Sequence, residues 1–271
     1  MIVLDATAAK AILEALSKGL QRMEVSLDLG LSTIMIDLDD SWDVESLEKI
    51  ATQENAVYFI QDGEYYQAAV SEEHYYRLFL SEVGKAPALL IDGVLMHRVK
   101  GIDPMQDARM KAALCVRKGS TMLEICTGLG YSTISCLERG AASITTIEKD
   151  PNVLKIAQVN PWSRKLFSDE RVSIIEGDAV LKITEIGNSR YDGILHDPPR
   201  FTLESELYTT EFYENLYRVL KPRGVLYHYV GSPGKRYKKR DIQKGVISRL
   251  RDVGFRDVLR NEASLGIIAR R

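Results

Sequence analysis

Long apolar runs are missing from this chain. None approaches about 18 residues, so no membrane-spanning helix is expected. The N-terminus lacks a basic stretch followed by an apolar core, which speaks against secretion and for a cytoplasmic protein. Cysteine is scarce: Cys115, Cys126 and Cys136 show no C-x-x-C spacing. That excludes a paired metal knuckle or a disulfide framework and fits free thiols in a reducing compartment. No metal site is expected. An excess of one charge is also missing, because 36 Lys and Arg face 38 Asp and Glu, for a net charge of −2. The whole molecule is therefore no electrostatic magnet for nucleic acid, and any such contact has to use a local basic patch. Internal repeats and low-complexity tracts are absent.

What remains is a globular composition, 45% hydrophobic and 27% charged. The 271 residues suffice for one large domain or two modest ones. Residues 1–95 read as a small α+β module. The spacing predicts a helix over 8–23 and a hairpin of strands 25–29 and 33–38 around Gly30. A short helix over 44–51 follows, with Asp43 as its cap. A second hairpin, 57–60 and 65–70, turns at Asp62-Gly63, and a third, 88–91 and 94–99, turns at Asp92-Gly93. Between them Ser71-Glu72-Glu73-His74 is expected to open a helix reaching Val83. His74 stands where a complete capping box would have Glu or Gln.

From 96 to 271 the pattern alternates. Strands are predicted at 121–126, 143–148, 172–176, 191–196, 224–230 and 265–269. Helices are predicted at 105–116, 131–139, 151–159, 178–186, 209–219 and 240–253. Such a series needs a mainly parallel sheet with helices on both faces, a doubly wound α/β fold. Ligands of such sheets sit at the carboxyl ends of the strands.

The chemistry-bearing residues cluster at those ends. Leu123 to Gly130 is an apolar strand running into a glycine turn, which suits close backbone approach to an adenosine-containing cofactor. Glu124 would bond a cationic or amino group there; the plainer alternative is a tight turn with no ligand. Cys126 holds the place of a dinucleotide fingerprint's first glycine, and no third glycine follows, which argues against a pyrophosphate cofactor. Glu148, followed by Lys149 and Asp150, ends the next strand and could take both ribose hydroxyls. Asp178 could accept from an adenine amino group beside the Ala179 N–H, or serve as a helix N-cap, or both.

Asp197-Pro198-Pro199 points most directly to a reaction. A carboxylate with a proline carbonyl can take two hydrogens of an amino group, and the prolines stiffen the loop. Arg200 could pair with a phosphate or carboxylate and Phe201 could stack on a flat substrate; both also suit ordinary loop packing. His196 and His228 read as hydrogen-bonded core residues, with a base facing the cleft as the alternative, and Asn160 to Ser163 either covers the adenine or places Trp162 in the core. The basic run Gly234 to Arg240, with Lys235 and Arg236, is either solvated or a phosphate-contacting loop. Met96 to Lys100 adds a smaller basic group.

Taken together, Leu123–Gly130, Thr146–Pro151, Ile174–Ala179, His196–Phe201 and Val219–Val230 resemble class I S-adenosylmethionine-dependent methyltransferases. The chain is most similar to an uncharacterised family of predicted archaeal methyltransferases. The resemblance implies a Rossmann-like seven-stranded sheet with an antiparallel last strand. It implies S-adenosylmethionine as cofactor, bound by Glu124, Thr127, Gly128, Gly130, Glu148, Lys149, Asp178, Ala179 and Asp197. Asp197 to Pro199 resembles the D-P-P-aromatic motif of enzymes that methylate exocyclic amines in nucleic acids, although Arg200 stands where the aromatic is usual. Cytosine-carbon methylation would need a cysteine that Tyr227–Gly231 does not have.

The expected activity is therefore N-methylation of an amino group in RNA. Asp197, Pro198 and Pro199 would be catalytic, with Arg200, Phe201, Lys235 and Arg236 on the substrate. The N-terminal module would recognise substrate or make a homo-oligomer. Two alternatives are a small-molecule methyltransferase and a polyamine aminopropyl transferase, the latter disfavoured because its cationic substrate needs an acidic cleft and the strip here is basic. A non-catalytic cofactor-binding module is a third.

Overall fold

The computed structural model describes residues 1–199, 204–231 and 242–271. The chain divides into two compact units, residues 1–105 with 152–167, and residues 106–151 with 168–271.

The first unit runs β1 (Ile2–Leu4), α1 (Ala6–Ser17), β2 (Arg22–Val25), β3 (Ile34–Asp37), α2 (Val44–Ala51), β4 (Tyr58–Gln61), β5 (Glu64–Gln67), β6 (Ala69–Ser71), β7 (Tyr75–Phe79), β8 (Ala88–Ile91) and β9 (Val94–Leu95). Its strands form small antiparallel sheets, β1-β4-β5, β2-β3 and β6-β7-β8-β9. Asp5 caps α1 by accepting the Ala8 N–H at 2.8 Å. The helix buries Ala9, Ile12 and Ala15 with Leu47 and Ile50 of α2. It ends at Ser17 and not at Met23, because Gly19 takes a left-handed φ of +69° and the chain turns into β2.

Asp62-Gly63 and Asp92-Gly93 make the expected two-residue hairpin turns. All four residues have positive φ, as the twist of such turns requires. The first hairpin is shifted, with Arg22 opposite Asp37 and Val25 opposite Ile34. Gly30 lies between the two strands as expected, in the loop from β2 to β3, where an added Cβ would stand 2.6 Å from the Gly84 Cα. Two loops meet there at a distance only glycine permits.

The helix expected over 71–83 does not form. Glu72 to His74 is a turn closed by the Glu72 N–H on the His74 carbonyl, and Tyr75–Phe79 is β7. Tyr76 and Leu78 are buried while Tyr75, Arg77 and Phe79 are less so, a period of two that aromatic side chains favour.

From residue 104 the chain runs α3 (Pro104–Cys115), β10 (Thr121–Ile125), α4 (Tyr131–Glu138), β11 (Ser143–Glu148), α5 (Pro151–Val159), α6 (Arg164–Ser168), β12 (Val172–Glu176), α7 (Ala179–Glu185), β13 (Tyr191–His196), α8 (Thr210–Val219), β14 (Leu220–Tyr229), α9 (Ile242–Val253), β15 (Arg256–Asn261) and β16 (Gly266–Arg270). Over 152–167, most of α5 and α6, the chain belongs to the first unit. The sheet order is β12-β11-β10-β13-β14-β16-β15. Its pairs are parallel except those made by β16, which is antiparallel to both neighbours.

The fold is α/β, a doubly wound Rossmann-like seven-stranded sheet of the methyltransferase type, with a smaller N-terminal α+β unit. Side chains alternate across it. Leu123, Ile125, Ile194 and Leu226 join α7, α8 and α9 on one face. Met122, Leu195, Val225 and Tyr227 join α3 and α4 on the other. The strand that periodicity missed is β15. It is an edge strand of mostly exposed residues, anchored by Val258, and its charges conceal it as a strand while protecting a sheet edge.

Candidate active site at the carboxyl ends of the parallel strands

Four parallel strands, β12, β11, β10 and β13, end side by side. The loop after β10 is tied to β11 by the N–H groups of Cys126 and Thr127, which both donate to the Ile147 carbonyl, at 3.0 and 3.2 Å. Cys126 has φ +71°, so the backbone does at this cysteine what the first glycine of a dinucleotide loop would do. Such a conformation costs a β-carbon residue on the order of 1–2 kcal/mol. Gly128 and Gly130 follow at φ +55° and +74°. A Cβ built on Gly128 meets nothing within 4 Å, so its outer side faces open space.

Glu148, at the end of β11, is buried and clamps this loop. One carboxylate oxygen accepts the Gly128 N–H at 2.9 Å and the other the Asp150 N–H at 3.1 Å. Burial pushes this carboxyl up, and the N–H groups of Gly128, Asp150 and Lys149 pull it back. A carboxylate accepts about four hydrogen bonds, so it has capacity for a further donor. Asp178 is the N-cap of α7 and accepts the Val180 N–H at 2.9 Å. It also pairs with Lys149 at 3.4 Å, and Lys149 reaches Glu204 at 3.8 Å. Ala179 is buried behind it.

Glu124 sits on β10, one residue before the strand ends, on the face it shares with Met122. It is fully buried. Thr133 of α4 donates to its Oε2, and the Thr146 hydroxyl donates to the same oxygen at 2.8 Å. Thr146 in turn meets Thr127 at 2.6 Å. Among the described residues its Oε1 has no partner. Burial raises the Glu124 carboxyl to about 8, against the pull of the two threonines.

Asp197 follows β13, and its N–H donates to the Ile125 carbonyl at 3.2 Å. Sequence reasoning missed its main partner. Lys111 of α3, 86 residues away, donates to Asp197 Oδ2 at 2.7 Å and pairs with Asp107 at 2.8 Å. Its ammonium lies 4.5 Å from the centre of the Tyr229 ring. The only sequence signal was Asp107 four residues before Lys111, a spacing that usually marks an exposed pair. Pro198 is buried, and the Pro199 carbonyl accepts the Tyr208 hydroxyl at 2.9 Å. Behind the loop His196 and His228 stack with ring centres 4.3 Å apart, both fully buried, as expected of core histidines. Trp162 belongs to the first unit, where its indole N–H donates to the Leu29 carbonyl at 3.3 Å.

The structure thus brings Glu124, Thr127, Gly128, Gly130, Glu148, Lys149, Asp178, Ala179, Asp197, Pro198 and Pro199 to adjoining strand ends. Arg200, Phe201, Lys235 and Arg236 lie outside the described residues. The described edge is acidic. Glu148, Asp197, Glu204 and Glu124 all act on the Cys126 thiol, which burial and these carboxylates push up.

A family model described as Conserved hypothetical protein 95 matches residues 105–244. The Uncharacterized protein MJ1233 of Methanocaldococcus jannaschii is 47% identical over 232 residues, 85% of this chain and 78% of that protein. The polyamine aminopropyltransferase of Sulfolobus acidocaldarius is 33% identical over 100 residues; the match spans 35% of this chain and only 33% of that enzyme's length. Among solved structures, spermidine synthase in complex with the transition-state analogue AdoDATO superposes with a TM-score of 0.61 at 18% identity, over 74% of this chain and 72% of that one. That likeness is one of fold. The chain belongs to the conserved hypothetical protein 95 family and is a relative of the Methanocaldococcus protein. No helix among the described residues is long and apolar enough to cross a membrane.

Proposed function

We propose that this member of the conserved hypothetical protein 95 family is a transferase that moves an aminopropyl group from decarboxylated S-adenosylmethionine to the amine of a small polyamine. One observation carries the reading: among the described residues, the strand ends gather Glu148, Asp178, Asp197 and Glu204 around the loop, with Lys111 and Lys149 as the nearby cations. A cationic donor and a cationic acceptor need such a surplus of carboxylate. The name of the Sulfolobus relative points the same way. The earlier objection, that the strip is basic, rests on residues 234–240, which the described structure does not include.

The residues present fit an adenosyl sulfonium donor. Glu148 keeps acceptor capacity for a hydroxyl, Gly128 faces open space, and Glu124 Oε1 is a buried oxygen without a partner among the described residues. When bound, the donor supplies an electrophilic carbon on sulfur. The acceptor nitrogen forms the new N–C bond as the C–S bond breaks, its electron pair going to sulfur, and the nitrogen then sheds one proton. Asp197 orients the attacking amine and takes that N–H, and burial, which pushes its carboxyl up, suits it to hold the proton. Tyr208 holds the Pro199 carbonyl, so the Pro198 carbonyl is the second acceptor for the amine. Positioning supplies most of the acceleration.

A second reading, methyl transfer from S-adenosylmethionine to an amine, is favoured by Asp197-Pro198-Pro199 at the strand end. Calorimetric titration with both donors decides between them. Tighter binding of the decarboxylated donor, with aminopropyl transfer to putrescine or spermidine that Asp197→Ala abolishes, supports the proposal. Preference for S-adenosylmethionine with labelled-methyl transfer to an amine or to RNA replaces it with the second reading. Binding of neither overturns both.

A further inference from the structure

The Asp107–Lys111–Asp197 triad is an expensive arrangement to keep inside a fold. The Lys111 side chain is 8% exposed, that of Asp107 5% and that of Asp197 21%. A lysine at this depth survives only if paired on several sides, and a hydrophobic residue of similar volume would often be no less stable. Two carboxylates and the Tyr229 ring provide that pairing. Asp107 and Lys111 are the more deeply buried members, and Asp197 is the one that reaches the surface. Lys111 holds Oδ2 of that carboxylate.

We infer that Lys111 is a positioning and specificity-determining residue: it turns Asp197 to face the acceptor with a single exposed, ionised oxygen, and thereby selects a cationic amine over one that carries a carboxylate near its reacting nitrogen. This inference rests on the reading of Asp197 as the acceptor-binding acid. Among the described residues, the charged and titratable groups around Asp197 are Asp107 and Lys111 on α3, Glu124 on β10, Cys126 beyond it, Tyr208 before α8, and Tyr227 and Tyr229 on β14. Lys111 is the one cation of this set. Burial and Asp107 raise the Asp197 carboxyl, and Lys111 opposes both.

The test follows the carboxyl itself. Carbon-13 NMR of aspartate-labelled protein, with the Asp197 signal assigned through Asp197→Asn, gives its titration midpoint without any turnover. In Lys111→Met the midpoint should rise by roughly one unit or more, because burial is then unopposed, while Lys111→Arg should stay near wild type. In Asp107→Asn it should fall, because Lys111 then acts on Asp197 alone. That variant keeps the question open to refutation if Lys111→Met does not fold. The acid limb of kcat/KM for a diamine should move the same way, and Lys111→Met should lose most of its preference for a diamine over an amino acid acceptor. Unmoved midpoints in both variants overturn the inference. So does a uniform fall in kcat/KM with an unmoved acid limb, the mark of a merely structural lysine. If wild type turns over no amine with either donor, the proposed function fails, and the NMR midpoints still decide the role of Lys111.

Discussion

The Tyr208 hydroxyl donates to the Pro199 carbonyl at 2.9 Å, so the second proline of the Asp-Pro-Pro loop is tied to the segment before α8. Tyr208 is 2% exposed, and removing its hydroxyl strands that carbonyl. Tyr208→Phe should lower stability by about 1–2 kcal/mol, read from the urea midpoint. It should also reduce kcat several-fold with donor affinity nearly unchanged. A variant with wild-type midpoint and kcat would show that the bond positions nothing.

Glu124 links stability to pH in an unusual direction. Its folded value, raised to about 8, lies above the ordinary 4.5. Its contribution is therefore complete below 4.5 and is lost as pH rises toward 8, because the unfolded chain releases a proton that the fold retains. Glu124→Gln removes this dependence. The stability of wild type relative to the variant should fall by up to about 1.4 kcal/mol per pH unit across that window. Parallel stability curves between pH 5 and 8 would mean that Glu124 ionises freely in the fold.

The buried imidazoles act from the other side. Burial lowers His196 from 6.5 to about 3, and burial beside His196 lowers His228 well below 6.5. Both are neutral in the fold and bind protons once unfolded. Their contribution is thus full above pH 6.5 and declines as pH falls, by at most about 2.7 kcal/mol per unit for the pair. Between pH 6.5 and 5 the pair takes up about one to two protons on unfolding while Glu124 releases about one, so the imidazole share is read as a difference: His196→Gln should lower the uptake by about half a proton at pH 6.5 and about one at pH 5. Equal uptake in wild type and His196→Gln would place a charged imidazole in the core.

Much of this site was legible because β10, β11, β12 and β13 are mostly apolar runs that stop at a glycine or an acid. Gly128, Glu148, Asp178 and Asp197 could be placed at strand ends from those stops alone. Lys111 could not. A lysine four residues after an aspartate on a helix reads as a solvated pair, and only the sheet topology brings the end of β13 onto it. Tyr75 to Phe79 reads as a helix because the polar residues before it imitate a helix start, whereas its alternation is that of a strand. Arg256–Asn261 leaves no signal because an edge strand with one buried side chain lacks the apolar period that marks the others.

Gly128 separates backbone strain from ligand space. At φ +55° an alanine is strained by about 1 kcal/mol wherever its methyl points, so Gly128→Ala should lower stability by that amount. Nothing lies within 4 Å of the new methyl, so the fold itself sets no steric barrier. If that open space receives the donor, its affinity must fall further than stability does, by tenfold or more in Kd, or about 1.4 kcal/mol. Calorimetry and thermal unfolding on the same preparation read the two losses separately. A stability loss with unchanged donor affinity would remove Gly128 from the donor site and move the search to the far side of the Glu148 carboxylate.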